Sequence, residues 1–225
     1  MHNQIDFTKI HDFNYEKALI KTSNQQTELI ELWNKTYDWD YVDNSKSIIK
    51  CNNGDYAIAG WTNSSGSGDL DIWLVRISAD GTHLWNYTYG ATEEDKGFQV
   101  IECNTGGFAL SATYTNTSAA ITNKDCMVVR VADNGSLLWS LSYSGPEQNA
   151  SHWIGDLGRS IVECNNGDFV LAGVTDTAIG VGDVWLFRID RFGNRLWDRT
   201  YHNRRTDRCY TPHSLVQCQD GGFAI

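Results

Sequence analysis

The chain has 225 residues, 41% of them hydrophobic, which is length enough to bury a substantial core in one domain or two. Its formal charge is −10, and the nearest thing to a basic patch is Arg204, Arg205 and Arg208 in one stretch, so nucleic acid and anionic membrane surfaces are poor partners. No apolar run approaches the ~20 residues of a membrane span.

The start, MHNQIDFTKIHDFNYEKALI, has neither the basic nor the apolar region of a secretory leader. Either the protein stays inside the cell or its leader lies outside this sequence. Residues 1–29 form an N-terminal segment. Within Lys17–Tyr37 the pattern fits a degenerate third and fourth strand with a long turn between them. A short helix over Tyr15–Leu32 is the alternative, because Ala18, Leu19, Leu29, Ile30 and Leu32 partly fit its period.

From residue 30 to 225 the chain repeats. DIWLVRISADGTHLWNYTY, from Asp71, returns as DCMVVRVADNGSLLWSLSY from Asp125 and as DVWLFRIDRFGNRLWDRTY from Asp183. Trp33, Trp85, Trp139 and Trp197 are spaced by 52, 54 and 58 residues, and Cys51, Cys103, Cys164 and Cys218 keep the same register. Two independent markers at one long period indicate a propeller or a solenoid.

Each unit reads as four strands. A short apolar strand (SIIKC, QVIEC, SIVEC, SLVQC) precedes a tight turn on Asn53-Gly54, Gly106-Gly107, Asn166-Gly167 or Gly221-Gly222. A second strand, a longer loop and a third strand follow, and a turn at Gly81, Gly135 or Gly193 leads into the fourth. Period-2 alternation, β-branched residues and frequent glycine argue against helical repeats. Four antiparallel strands per unit is a propeller blade, which makes the fold all-β. Full blades are expected near 38–89, 90–143 and 144–201, with a partial blade over 202–225. Either the two chain ends supply one split blade of a four-bladed ring, monomeric if complete, or the chain is an incomplete piece of a larger propeller; its end inside GGFAI favours the piece.

The repeat resembles those of secreted and cell-surface β-propeller proteins of archaea and bacteria, which run roughly DGGF-x-LAG-x-T…D-x-WL-x-R-x-D-x-x-G-x-x-x-W-x-x-x-YG. In ADGTHLW, ADNGSLLW and FGNRLW it is also similar to the tryptophan-docking repeat of quinoprotein-type propellers. The resemblance implies fold rather than activity. It also implies export, as does a mild excess of N-glycosylation sequons at Asn34, Asn63, Asn86, Asn116, Asn134 and Asn149. An extracellular or surface location is expected, with the cytoplasm as the alternative.

The repeated side chains read as structural. The four Trp are expected between neighbouring blades rather than as an exposed sugar-stacking ring. Asp71, Asp125 and Asp183 are expected to accept hydrogen bonds from loop amides, since Asp69-Leu-Asp71 lacks the spacing of a calcium loop. Arg76, Arg130 and Arg188 are expected to pair with carboxylates of the adjacent blade. Equivalent cysteines on adjacent blades are too far apart for disulfides, while Cys126 and Cys209 fall out of register and are free or paired. His202, Cys209, His213 and Cys218 fall close enough in sequence to suggest zinc, but Cys218 and His213 are register positions shared with other blades.

Turns after the first and third strands are short and nearly invariant, whereas loops after the second and fourth are long and differ in each blade. Binding is expected on the second face, where Tyr114, His152, Trp153, Arg204 and Arg205 are conspicuous. The leading expectation is a non-catalytic module that binds a protein or a glycan. A dehydrogenase with pyrroloquinoline quinone and calcium, and a propeller glycoside hydrolase, are the enzyme alternatives.

Overall fold

The computed structural model describes residues 19–23, 26–30, 33–37, 41–117, 123–145, 155–175, 182–201 and 213–225. They are all-β. Strands β1 (Leu19–Ser23) and β2 (Gln26–Ile30) form a hairpin. Three four-stranded antiparallel sheets follow, each in simple sequential order. The first holds β3 (Asp43–Lys50), β4 (Tyr56–Thr62), β5 (Asp71–Ile77) and β6 (His83–Tyr89). The second holds β7 (Lys96–Glu102), β8 (Phe108–Asn116), β9 (Asn123–Val131) and β10 (Leu137–Tyr143). The third holds β11 (Leu157–Glu163), β12 (Phe169–Thr175), β13 (Asp183–Ile189) and β14 (Arg195–Tyr201). A last pair, β15 (Val216–Gln217) and β16 (Phe223–Ala224), repeats the first two strands of a blade. The described residues are therefore three full propeller-type blades and two hairpins, and they do not complete a ring.

Burial follows strand position. The second and third strands of each blade are almost wholly buried, with both faces covered, which is why YAIAGWT and DIWLVRI read as nearly continuous apolar runs. The fourth strands β6, β10 and β14 are exposed or half-buried along nearly their whole length. The first strands are the innermost: β7 packs on β3 and β4, and β11 packs on β7 and β8. Close packing there excludes a side chain, since a methyl group on Gly158 would lie 2.5 Å from the Ala112 carbonyl oxygen of the preceding blade.

One joint recurs between successive blades. The fourth-strand Trp lies against the aromatic that opens the next blade's second strand. Ring centroids are 6.5 Å apart for Trp33–Tyr56, 6.2 Å for Trp85–Phe108, 6.5 Å for Trp139–Phe169 and 6.4 Å for Trp197–Phe223. Four residues after each Trp, a Tyr hydroxyl donates to the glycine carbonyl in the next blade's turn between strands three and four. Tyr37 reaches Gly81, Tyr89 reaches Gly135 at 2.6 Å and Tyr143 reaches Gly193 at 2.8 Å. Burial pushes the Tyr89 and Tyr143 hydroxyls well above their ordinary pKa, so both remain donors. Gly135 is required twice over. Its φ is +82°, and a methyl group there would lie 2.4 Å from the Tyr87 ring.

Trp33 and Tyr37 make the same two contacts as their counterparts, so residues 33–37 stand where the fourth strand of a preceding blade would stand. The turn expected just before them is instead strand β2, and the described residues of the alternative helix over Tyr15–Leu32 are extended. The arginines also differ from expectation: each takes its hydrogen-bonding and ionic partners from its own blade, although Arg76 also lies 5.1 Å from the Phe108 ring of the next. Arg76 Nη2 donates to Asn53 at 2.8 Å and pairs with Asp55 at 3.4 Å. Arg188 pairs with Asp168 at 2.8 Å. In the second blade that acid is replaced by Gly107, Arg130 donates to the Gly106 carbonyl, and Asp133 accepts from the Gly107 amide at 2.6 Å. Each arginine thus braces the hairpin beside it, because the long guanidinium reaches the turn of its own sheet before it reaches the neighbouring one.

Cys51, Cys103, Cys126 and Cys164 are free and buried, and Cys218 is free and exposed. Burial pushes the thiols of Cys51 to about 11 and Cys103 to about 12, so they behave as small hydrophobes. Cys209 lies outside the described residues.

The joint sets two expectations for urea unfolding. Trp85→Ala should cost about 3 kcal/mol, because it empties a joint that Phe108 cannot refill. Tyr89→Phe, which removes one hydroxyl and leaves the Gly135 carbonyl without its donor, should cost about 1 kcal/mol. An unchanged midpoint in either variant would contradict this description of the joint.

Candidate functional site

Each innermost strand carries a β-bulge near its start. The register slips between Ser45 and Ser47, between Gly97 and Gln99, and between Gly158 and Ser160. The extra residues are Lys46, Phe98 and Arg159, and the repeat puts His213 in the same slot. A bulge re-aims a side chain without breaking the sheet, and bulges concentrate beside functional sites.

The residue after each bulge ties the inner strands together. Ser47 Oγ accepts from the Val100 amide at 3.3 Å. Gln99 Oε1 accepts from Ser160 Oγ at 2.7 Å, from the Ile161 amide at 3.1 Å and from the His213 amide at 3.0 Å. His213 Nε2 lies 3.1 Å from Ser47 Oγ. His213 has φ +61°, the only positive value among the described non-glycine residues, and burial holds its imidazole below its ordinary pKa. Gln99 thus ties the second blade to the third and to His213, while Ser47 ties the first blade to the second and to His213.

Beside this polar floor the bulge side chains meet the end of β4. Arg159 lies 3.9 Å from the Phe98 ring centroid, and Phe98 lies 5.8 Å from Trp61. Two ammonium groups share the Trp61 ring: Lys46 at 4.7 Å and Lys96 at 5.5 Å. Glu94 pairs with Lys96 at 2.5 Å and with Lys124 at 3.1 Å, and both lysines hold its carboxyl below the usual range against the effect of burial. Three cations and two aromatics thus gather at one place on an acidic chain. Two polar side chains nearby are buried without a partner: Ser45 Oγ, next to Lys46, and Thr113 Oγ1, opposite Lys96 in the ladder.

A second acidic row lies close by. Asp43, Asp95 and Asp156, three residues before each bulge, repeat as regularly as Asp71, Asp125 and Asp183. All except Asp43 are buried. Asp71 Oδ2 accepts from the Ser67 amide at 2.9 Å and the Gly68 amide at 3.2 Å. Asp125 accepts from Ser144 Oγ at 3.1 Å. Asp95 accepts from the amides of Thr115 at 2.9 Å and Ala91 at 2.8 Å. Asp71 Oδ1 and Asp95 Oδ2 face each other across Gly90, where a methyl group would lie 2.6 and 2.7 Å from them. Burial raises the pKa of both, and the Asp71 charge raises Asp95 further.

Of the residues singled out from sequence, Tyr114 is a strand residue of β8 rather than a loop residue, paired with Asp125 and half-buried against the first core cluster. His152, Trp153, Arg204 and Arg205 lie outside the described residues, as do His202 and Cys209 of the zinc reading. Among the described residues no three His, Cys, Asp or Glu side chains come together as a metal-binding group. No described helix is long and apolar enough to cross a membrane. No family model matches the chain, and no curated protein matches it.

The Asp71–Asp95 pair yields a test with a defined sign. A carboxyl whose pKa is raised on folding favours the fold below its ordinary value, and that contribution is lost as pH rises through the raised value. At neutral pH the facing charges oppose folding. Asp71→Asn keeps an oxygen for the Ser67 and Gly68 amides and turns an NH2 toward Asp95. It should gain about 1 kcal/mol, or about 2–4 °C in Tm, at pH 7–8, and nothing near pH 3, where both acids are protonated. A lower Tm for this variant at pH 7 would mean that the Asp71 charge itself is needed.

Proposed function

We propose that the chain is a non-catalytic binding module, built from propeller-type blades, that holds an acidic group of a protein or glycan ligand on its long-loop face. The observation that carries this reading is the contrast within the bulges. The frame around them is regular, whereas the bulged residue is Lys46, Phe98, Arg159 or His213 in turn. A position of purely structural use would repeat as the Trp and Asp positions do. Lys46 and Lys96 on the Trp61 ring, with Arg159 on Phe98, offer a carboxylate several cations in a partly desolvated setting where charge pairing is stronger than in open water.

An extracellular or surface location supports this role. It rests on the resemblance of the repeat and on the sequons, of which Asn34, Asn63 and Asn134 stand exposed. The tryptophan motif that suggests a quinoprotein is occupied in blade packing at Trp85, Trp139 and Trp197, so it speaks for the fold and not for redox chemistry.

Arrays of acidic and neutral oligosaccharides and of acidic peptides provide the test. Carboxylate-bearing members should be retained, added salt should weaken them, and Lys46→Glu should reduce affinity about ten-fold. Ligands that ignore both salt and Lys46→Glu would place binding elsewhere. Titration with pyrroloquinoline quinone and calcium addresses the dehydrogenase reading, which saturable binding would restore.

A further inference from the structure

On the opposite face, where the turns are short, a cavity of about 400 Å³ opens between the second and third blades. Its walls are Leu138 and Trp139 of β10, Phe169 at the start of β12, and Arg191 and Phe192 from the turn between β13 and β14. Asn104, Asn165 and Glu163 line it from the two hairpin turns. The volume falls in the range of small-ligand sites.

The repeats themselves show that this cavity is not an incidental gap between blades. Phe192 occupies the turn position held by Asp80 in the first blade and Asn134 in the second, and Arg191 that of Ala79 and Asp133. Asp and Asn suit such a turn because their side chains bond its backbone. Asp80 bonds the Thr82 amide at 3.0 Å and Asn134 the Ser136 amide at 3.0 Å. Phe192 forgoes that bond and leaves its ring 69% exposed at the edge of the cavity. In the third blade Asp190, two residues earlier, takes over the backbone role, accepting from the Phe192 and Asn194 amides at 2.9 Å each. The turn is thus satisfied without Phe192, and the aromatic has no structural duty there.

Several polar groups around it keep bonding capacity to spare. Glu163, which lines the cavity, accepts the Asn104 amide through Oε2 at 2.7 Å, as Glu102 accepts the Asn52 amide one blade earlier, so one carboxylate oxygen is used in the frame. The side-chain amides of Asn104 and Asn165 bond no other group among the described residues, and Arg191 lies 5.8 Å from the Phe192 ring without a carboxylate partner. Arg130, by contrast, is spent on its own hairpin.

We propose that this cavity is a binding site for a neutral sugar ring. Its open groups are one cation, one anion and two amides, which balance in charge and supply both donors and acceptors. Vicinal hydroxyls need both kinds, whereas a charged ligand would meet repulsion from Arg191 or Glu163. The Phe192 ring and the Trp139 edge offer the apolar surface on which the CH face of a pyranose rests. The site is separate from the cationic cluster on the long-loop face and does not rest on it.

Saturation-transfer NMR with the methyl glycosides of glucose, galactose, mannose and N-acetylglucosamine at millimolar concentration tests the proposal. At least one should receive saturation and be displaced by excess of the same sugar. Phe192→Asn, which copies the second blade's own turn, should preserve Tm and weaken that binding about ten-fold. Asn165→Ala should weaken it as well, and Lys46→Glu should leave it unchanged. The proposal is overturned if none of the four glycosides binds, or if Phe192→Asn binds as tightly as the parent with its fold intact. Loss of binding in Lys46→Glu alone would transfer the sugar to the other face and overturn this site while leaving the binding-module reading in place.

Discussion

Everything described here depends on the joint between blades, an outer-strand Trp against the next blade's aromatic and a Tyr hydroxyl on the next blade's turn carbonyl. A single four-stranded sheet has two apolar faces and cannot cover both alone. Stacking buries them only if successive sheets meet at one offset and one angle. The aromatic pair sets the offset, since ring contacts weaken steeply with displacement, and the Tyr bond sets the angle. Among the described residues no such turn stands against Tyr201, and its side chain is exposed. The joint therefore depends on its partner and is not a property of the strand by itself.

With the blades fixed, the inner strands are brought near enough for short polar side chains to link them. Ser47 and Ser160 reach only their immediate neighbours. Gln99 is longer and touches both the third blade and the start of the fourth. That floor holds the bulges at a defined height, and the side chains projecting from them become a surface that can vary without cost to the core. The cavity on the opposite face uses the same logic: the hairpin amides are frame, and the substitution at Phe192 is specialisation.

Much of this was legible in the sequence. The Trp and Cys registers placed the turns of the three full blades, and the four-strand blade followed from the glycine pairs and the period-2 pattern. Four features were not. A bulge is a relation between two strands, so Lys46, Phe98 and Arg159 look like ordinary strand residues until the ladder is seen. Asp43, Asp95 and Asp156 repeat as faithfully as Asp71, Asp125 and Asp183, and an alignment on the bulge would have exposed them. The arginine partners lie in the arginine's own blade, which chain order does not show because it cannot rank two carboxylates by distance. Tyr114 reads as a loop residue because β8 runs two residues longer than β4 and β12, a difference the variable loop conceals. Phe192 was available to the same comparison of repeats, as the one large apolar side chain in a position otherwise held by Asp or Asn.

A double-mutant cycle on Trp85 and Phe108 tests the joint most directly. Trp85→Ala, Phe108→Leu and the double variant would be compared by urea unfolding. The packing described here predicts a coupling energy of about 1 kcal/mol between the two side chains. Additive losses, with coupling below about 0.3 kcal/mol, would mean that the rings stabilise their own sheets independently, and the blades would have to be held in register by something other than this contact.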